Sequence, residues 1–236
     1  MTRSAFDPDE LARLRLFIFD LDGTLIDSKL DLALAVNATR AAFRLGPLPH
    51  EQIFGYIGDG APLLVRRALD HTEDDALVEQ ALGFFLRYYR EHMLDNTVAY
   101  PGVREGLAAL EAGGRVLTIL TNKPVRISRE ILAGLRLAGH FRLVYGGNSF
   151  ERKKPDPMGV EAILRETEAA KDEALVVGDS EIDVLTARNA GTRVCGVTYG
   201  LGSHRLDDYP PDLRLDSLTE LAALVTGSTP EKKPAT

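Results

Sequence analysis

Leu14-Arg-Leu-Phe-Ile-Phe19 is the stretch that most restricts the fold. Its run of apolar residues reads as a strand buried on both faces, and such a strand needs cover from both sides of its sheet. It leads into Asp20-Leu-Asp22-Gly-Thr24-Leu-Ile-Asp27-Ser28. Two carboxylates two positions apart, on a tight glycine turn at a strand end, suit phosphoryl chemistry. One can attack phosphorus while the other handles the proton. Asp-Gly is also a plain turn signal, so the motif needs support from the rest of the chain.

The downstream sequence supplies that support. From about Ser28 to Ala99 the pattern is helical, with no convincing strand. Leu30, Leu34, Ala38, Ala41 and Leu45 recur at helical spacing before Gly46-Pro47, and segments Pro62 to Leu69 and Asp74 to Met93 come next. After Tyr100-Pro-Gly102, strands and helices alternate. Strands are expected at Arg115–Leu120, Phe141–Tyr145, Ala174–Val177 and Arg193–Val197. Helices are expected at 103–112, Pro124–Leu137, Pro157–Thr167, Ile182–Ala190 and Ser217–Val225. This alternation predicts an α/β fold with a doubly wound parallel sheet. The expected domains are a core from 1–27 and 100–225, an all-helical insertion over 28–99, and a disordered tail over 226–236.

Four polar clusters follow the strands: Asp20/Asp22; Thr121-Asn122-Lys123; Lys153-Lys154-Pro155-Asp156-Pro157; and Gly178-Asp179-Ser180-Glu181-Ile182-Asp183. Parallel strands bring all four to one sheet edge, where ligands of open α/β sheets bind. Each has a plainer alternative alone: Thr121, Asn122, Asp179 or Ser180 could cap a helix, and Lys154 could be a solvated charge. Their coincidence on one edge favours a site. Asp20 is then the nucleophile and Asp22 the proton donor and acceptor. Thr121 and Lys154 are expected on the phosphate oxygens. Asp20, Asp179 and the Asp22 backbone carbonyl offer hard oxygens for Mg²⁺. Asp183, one helical turn after Asp179, and Ser180 are expected just behind them.

In the helical segment, Gly55-Tyr-Ile-Gly58-Asp-Gly60-Ala-Pro62 leads into a helix. Gly58 and Gly60 allow close backbone approach, and the helix start suits an anion. A plain interhelical turn is the alternative. Arg66 and Arg67 are adjacent, so only one is expected to face inward; Arg66 is taken as the substrate contact. Thr24 and Asn122 are further candidates for phosphate binding.

Composition narrows the partners. The net charge is −7, from 28 basic and 35 acidic residues, with no basic patch, so nucleic acid and anionic membranes are not expected partners. The single cysteine, Cys195, lies in an apolar run and reads as a buried structural thiol. The five histidines show no metal-like spacing. No signal-peptide layout or long apolar run is present, which predicts a cytoplasmic protein; the expected state is a monomer or homodimer acting on a small phosphate ester.

In this order, Asp20-x-Asp22-Gly-Thr24, Thr121-Asn122, Lys154-Pro155 and Gly178-Asp179-Ser180-x-x-Asp183 resemble the motifs of the haloacid dehalogenase-like superfamily. The resemblance spans about Leu14 to Leu224. It implies a Rossmann-like core, a C1-type helical cap between the first two motifs, and Mg²⁺. Asp22 is similar to the phosphatase and phosphomutase branches. Phe19 to Ser28, Gly58-Asp-Gly60, Tyr100-Pro-Gly-Val103, Thr121-Asn-Lys-Pro124, Lys154-Pro-Asp-Pro157 and Val197-Thr-Tyr-Gly200 resemble the phosphoglycolate phosphatases within it. That resemblance implies hydrolysis of 2-phosphoglycolate to glycolate and phosphate, a reaction of carbohydrate metabolism. Sugar phosphates, N-acetylmuramic acid 6-phosphate, nucleotides, pyrophosphate and mutase chemistry stay open as alternatives. Asp59, and Leu201-Gly-Ser-His-Arg205, depart from the pattern and bear on substrate choice.

Overall fold

The structure is a computed structural model describing residues 6–227. Strand β1 (Leu16–Phe19) is the centre of the sheet, and its side chains alternate between two apolar cores. Phe17 and Phe19 enter one; Leu16 and Ile18 enter the other. The sheet is therefore covered on both faces, as the apolar run requires. Its other strands are β4 (Val116–Leu120), β5 (Leu143–Tyr145), β6 (Ala174–Gly178), β7 (Arg193–Val197) and β8 (Leu213–Leu215). All pair in parallel, in the order β5-β4-β1-β6-β7-β8. The chain moves outward from β1 through β4 to β5, then crosses to β6 on the other flank. That reversal opens a crevice at the carboxyl ends of β1, β4 and β6.

Helices α6 (Val103–Ala112), α7 (Val125–Gly134) and α10 (Leu218–Thr226) bury Leu107, Ile131 and Leu221 against the first face. Helices α8 (Met158–Thr167) and α9 (Glu181–Ala190) bury Val160 and Ala187 against the second. Helix α1 (Pro8–Arg13) starts at Asp7, whose side chain accepts from Glu10 N at 2.7 Å. Cys195 is buried and unpaired, as expected.

The helical segment holds α2 (Lys29–Ala42), α3 (His50–Phe54), α4 (Ala61–Ala68) and α5 (Asp75–His92). Three elements here escaped the sequence. Helix α3 has only five residues, too few to show a period. Strands β2 (Ile26–Asp27) and β3 (Val98–Ala99) pair antiparallel where the segment leaves and rejoins the sheet domain. The expectation of no strand between 28 and 99 is thus corrected by β3. Buried Asp31 locks this junction, accepting from Asn96 N, Thr97 N and Thr97 Oγ1 at 2.7–3.1 Å. At the other end, α10 runs to Thr226 and closes on Gly227, so the helix takes the first residue of the expected tail. Residues 228–236 lie outside the described residues. Among those described, no helix is long and apolar enough to cross a membrane.

Candidate active site

The crevice opens into a cavity of about 580 Å³ between the sheet edge and the helical segment. Asp20 and Asp22 enter it from the end of β1, Thr121 and Asn122 from the end of β4, and Asp179 and Ser180 from the end of β6. Backbone geometry makes this convergence tight. Gly23 sits at φ +81°, and a Cβ there would collide with the Asp179 carboxylate. A Cβ at Gly178 would collide with the Asp183 carboxylate. We expect Gly178→Ala to displace Asp183 and lower kcat about 100-fold, because misplacing a reacting constellation by an ångström has that effect. Unchanged kcat would contradict this packing.

One oxygen each from Asp20, Asp179 and Asp183 lie within 4.8 Å of one another. Lys154, 6% exposed, places Nζ 3.0 Å from Asp20 Oδ1 and 2.6 Å from Asp183 Oδ1. Asp183 also accepts from Ser180 N and Oγ at 3.1 and 2.8 Å, while Ser180 starts α9. Ser180 thus plays the capping part that its sequence allowed. Asp179 accepts from Thr24 Oγ1 at 3.2 Å and from Gly202 N at 2.8 Å.

The electrostatics are unbalanced. Burial, with Asp183 and Asp20 nearby, pushes Asp179 up from 3.8 to about 8. Burial raises Asp20 to about 6, although Lys154 opposes this. Burial also opposes the Lys154 charge, yet Asp183 and Asp20 hold its pKa above the usual lysine value. One ammonium among three crowded carboxylates leaves negative charge without compensation. Hard oxygen donors in that state fit a divalent cation.

A carboxylate with a higher pKa in the folded chain binds protons more readily folded than unfolded. Its stabilising contribution is present at low pH and lost as pH rises through the folded value. We expect the metal-free protein to lose thermal stability as pH rises from about 4 to about 8, the span of the Asp20 and Asp179 shifts. A divalent cation should flatten that slope. Melting curves across this range with EDTA or with added cation check it, and equal slopes would contradict it.

Asp22 stands apart from the acidic cluster. Its carboxylate accepts from Lys123 Nζ at 2.9 Å on both oxygens and from Ser28 Oγ. Lys123 was visible in the sequence cluster but had no assigned role; only the fold shows that its ammonium turns back to Asp22. Thr121 is buried and accepts from Lys123 N at 3.3 Å, which leaves its own O–H to donate. Asn122 Nδ2 donates to Gly58 O at 3.2 Å and Lys154 O at 3.1 Å, joining the helical segment to the sheet domain.

Several sequence expectations change at the site. Thr24 is fully buried and bonded to Asp179, so it supports that carboxylate and does not line the cavity. Asp183 belongs to the acidic cluster itself, and the Asp22 carboxylate does not. Gly58 and Gly60 do line the cavity, at φ +123° and +89°. Arg66 does not: it donates to Thr72 O at 2.8 Å and pairs with Asp75. Arg67, about a quarter-turn around α4, lines the cavity instead. It pairs with Asp59 at 2.6 Å and donates to Tyr56 O at 3.1 Å. The unexpected acid at position 59 is thereby neutralised within its own segment. His204 is exposed at the cavity rim.

A parallel sheet with this acidic, lysine-bearing crevice defines a class, and the family pattern of the haloacid dehalogenase-like hydrolases matches residues 17–197. The chain belongs to that family. Within it, the chain is 42% identical to the phosphoglycolate phosphatase of Pseudomonas putida, over 88% of this chain and 78% of that protein. It is 39% identical to the phosphoglycolate phosphatase of Chromobacterium violaceum, over 91% of this chain and 98% of that protein. The crystal structure of a predicted phosphoglycolate phosphatase from Haemophilus somnus superposes with a TM-score of 0.84 at 31% identity. That match covers 90% of this chain and 97% of the other.

Proposed function

We propose that this chain is a phosphoric monoester hydrolase that works through an aspartyl-phosphate on Asp20, with 2-phosphoglycolate as its substrate. The observation that carries the chemistry is the meeting of Asp20, Asp22, Thr121 and Asp179 at one cavity, with Lys154 and Asp183 packed directly against Asp20 and Asp179. The similarity to phosphoglycolate phosphatases from two bacteria supports the substrate.

Asp20 attacks phosphorus and forms an acyl-phosphate bond while the P–O bond to the leaving oxygen breaks. Asp22 gives its proton to that oxygen and releases glycolate. The same carboxylate then takes a proton from water as the water attacks phosphorus. The aspartyl P–O bond breaks, phosphate leaves and Asp20 returns to its starting state. Thr121 donates its O–H to a phosphoryl oxygen, and Lys154 neutralises charge there and holds Asp20. Asn122 fixes the loop at Gly58 over the cavity. Asp20, Asp179 and the Asp22 carbonyl would hold Mg²⁺, with Asp183 beside them. The cation supplies positive charge to the phosphoryl oxygens and the crowded carboxylates.

Residues 28–99 act as a cap on the core formed by 1–27 and 100–225. The β2–β3 pair marks the two crossings between these parts. Closure of the cap keeps bulk water from the acyl-phosphate until glycolate has left. Phosphate release with Mg²⁺ across a panel of phosphomonoesters tests the reading. The panel includes sugar phosphates, N-acetylmuramic acid 6-phosphate and nucleotides, with EDTA controls. A strong preference for 2-phosphoglycolate, lost with EDTA, is the expected result. Preference for another ester would reject the substrate and keep the chemistry. Phosphate moved between substrate positions without release would point to a mutase.

A further inference from the structure

Beside Asp22 the cavity has a cationic corner that the proposed chemistry leaves unused. Lys123 is 6% exposed and Tyr89 is 1% exposed, and both line the cavity. Lys123 Nζ lies 4.6 Å from the centroid of the Tyr89 ring. An ammonium carries three N–H donors, and the Asp22 oxygens take at most two of those on Lys123. The Tyr89 hydroxyl is buried beside the Lys123 ammonium, which can only donate to it, and its own O–H has no acceptor, a state that folded proteins rarely leave uncompensated. The corner thus has a spare O–H donor beside a buried ammonium, and Leu32 and Ile127 supply apolar lining to the same cavity. Such an arrangement suits an anionic acceptor of small size.

Its position indicates where that acceptor sits on the substrate. Asp22 faces the leaving oxygen in the proposed reaction, and Lys123 touches Asp22. An acceptor attached through one carbon to the leaving oxygen reaches this corner. We propose that Lys123 and Tyr89 together receive a carboxylate carried on the carbon next to the ester oxygen, which selects small 2-phospho acids as the substrate class. The inference rests on the proposed phosphatase activity. Arg67 and Arg205 also line the cavity, but Arg67 is already paired with Asp59 and bonded to Tyr56 O, and Arg205 is paired with Glu181. Lys123 follows β4 whereas Tyr89 lies on α5. The subsite is therefore complete only while the helical segment is seated on the sheet domain, so the matching substrate favours closure.

The test compares kcat/KM for 2-phosphoglycolate with kcat/KM for ethyl phosphate, which lacks the carboxylate, in the Mg²⁺-loaded full-length protein. Wild type, Tyr89→Phe, Lys123→Met and Arg67→Met are measured on both. The ratio is the readout, because Lys123→Met also disturbs Asp22 and slows both substrates. Tyr89→Phe should lower the ratio about tenfold and Lys123→Met further, as expected for lost hydrogen bonds to a charged group. Arg67→Met should leave it within about threefold. Tyr89→Phe keeps the ring and its packing, so it carries the test if Lys123→Met fails to fold. A wild-type preference that persists in both corner variants, or falls only in Arg67→Met, overturns the subsite alone. Equal wild-type rates on the two esters overturn both the subsite and the substrate while phosphatase chemistry stands.

Discussion

Asp20→Asn is expected to abolish turnover, with kcat falling about 10⁵-fold or more, while the protein stays folded. The amide has the shape of the carboxylate but cannot attack phosphorus, and losses of this size follow removal of a nucleophile. Stability should not fall with activity. In the folded chain, burial and the neighbouring Asp183 disfavour the Asp20 charge, with Lys154 opposing them. A neutral side chain removes that penalty. Melting temperature without divalent cation at neutral pH should therefore equal or exceed that of the wild type. Residual turnover near the wild-type rate would remove Asp20 from the nucleophile's role. Collapse of the fold would mean that its charge is structural.

Lys154→Met should have the opposite profile, losing activity and stability together. The lysine side chain is 4% exposed and pairs with Asp20 and Asp183. Met fills much of the same volume without charge, leaving the clustered carboxylates uncompensated. Breaking a buried ion pair from one side costs about 3–5 kcal/mol, a fall of roughly 10 °C in melting temperature for a chain of this size. Mg²⁺ should recover part of the loss, because it would bind the same carboxylates. Activity should not return, since the cation does not replace the ammonium on the phosphoryl oxygens. Thermal melts with and without Mg²⁺, beside phosphate release, measure both effects. Unchanged stability without the cation would contradict the charge imbalance of the cluster.

The sheet was legible because its strands are short apolar runs between helical periods, and a strand apolar on both faces leaves few architectures. The polar clusters were legible for a related reason: parallel strands all end at one edge. Three of the shortest strands were not. Ile26–Asp27, Val98–Ala99 and Leu213–Leu215 are strands only by virtue of their pairing partners, and no local pattern marks them. Around the site, residue types were readable but side-chain directions were not. Lys123 stood beside Thr121 and Asn122 in the string, yet only the fold turns it onto Asp22. Arg66 and Arg67 are adjacent in sequence and look in different directions from α4. Thr24 lies inside the first motif but is drawn behind Asp179, because the Gly23 turn carries it away from the cavity. Asp59 departs from the family pattern, and only the fold sets Arg67 against it.

The central claim is the two-step transfer through Asp20, and the stereochemical course at phosphorus tests it most directly. 2-Phosphoglycolate with one non-bridging phosphoryl oxygen replaced by sulfur and another isotope-labelled, so that phosphorus is chiral, is hydrolysed in water of the third oxygen isotope, and the configuration of the released thiophosphate is read. Each in-line displacement inverts phosphorus, so attack by Asp20 followed by attack by water gives overall retention. Overall inversion would mean that water displaces glycolate in one step, and would contradict an aspartyl-phosphate on Asp20.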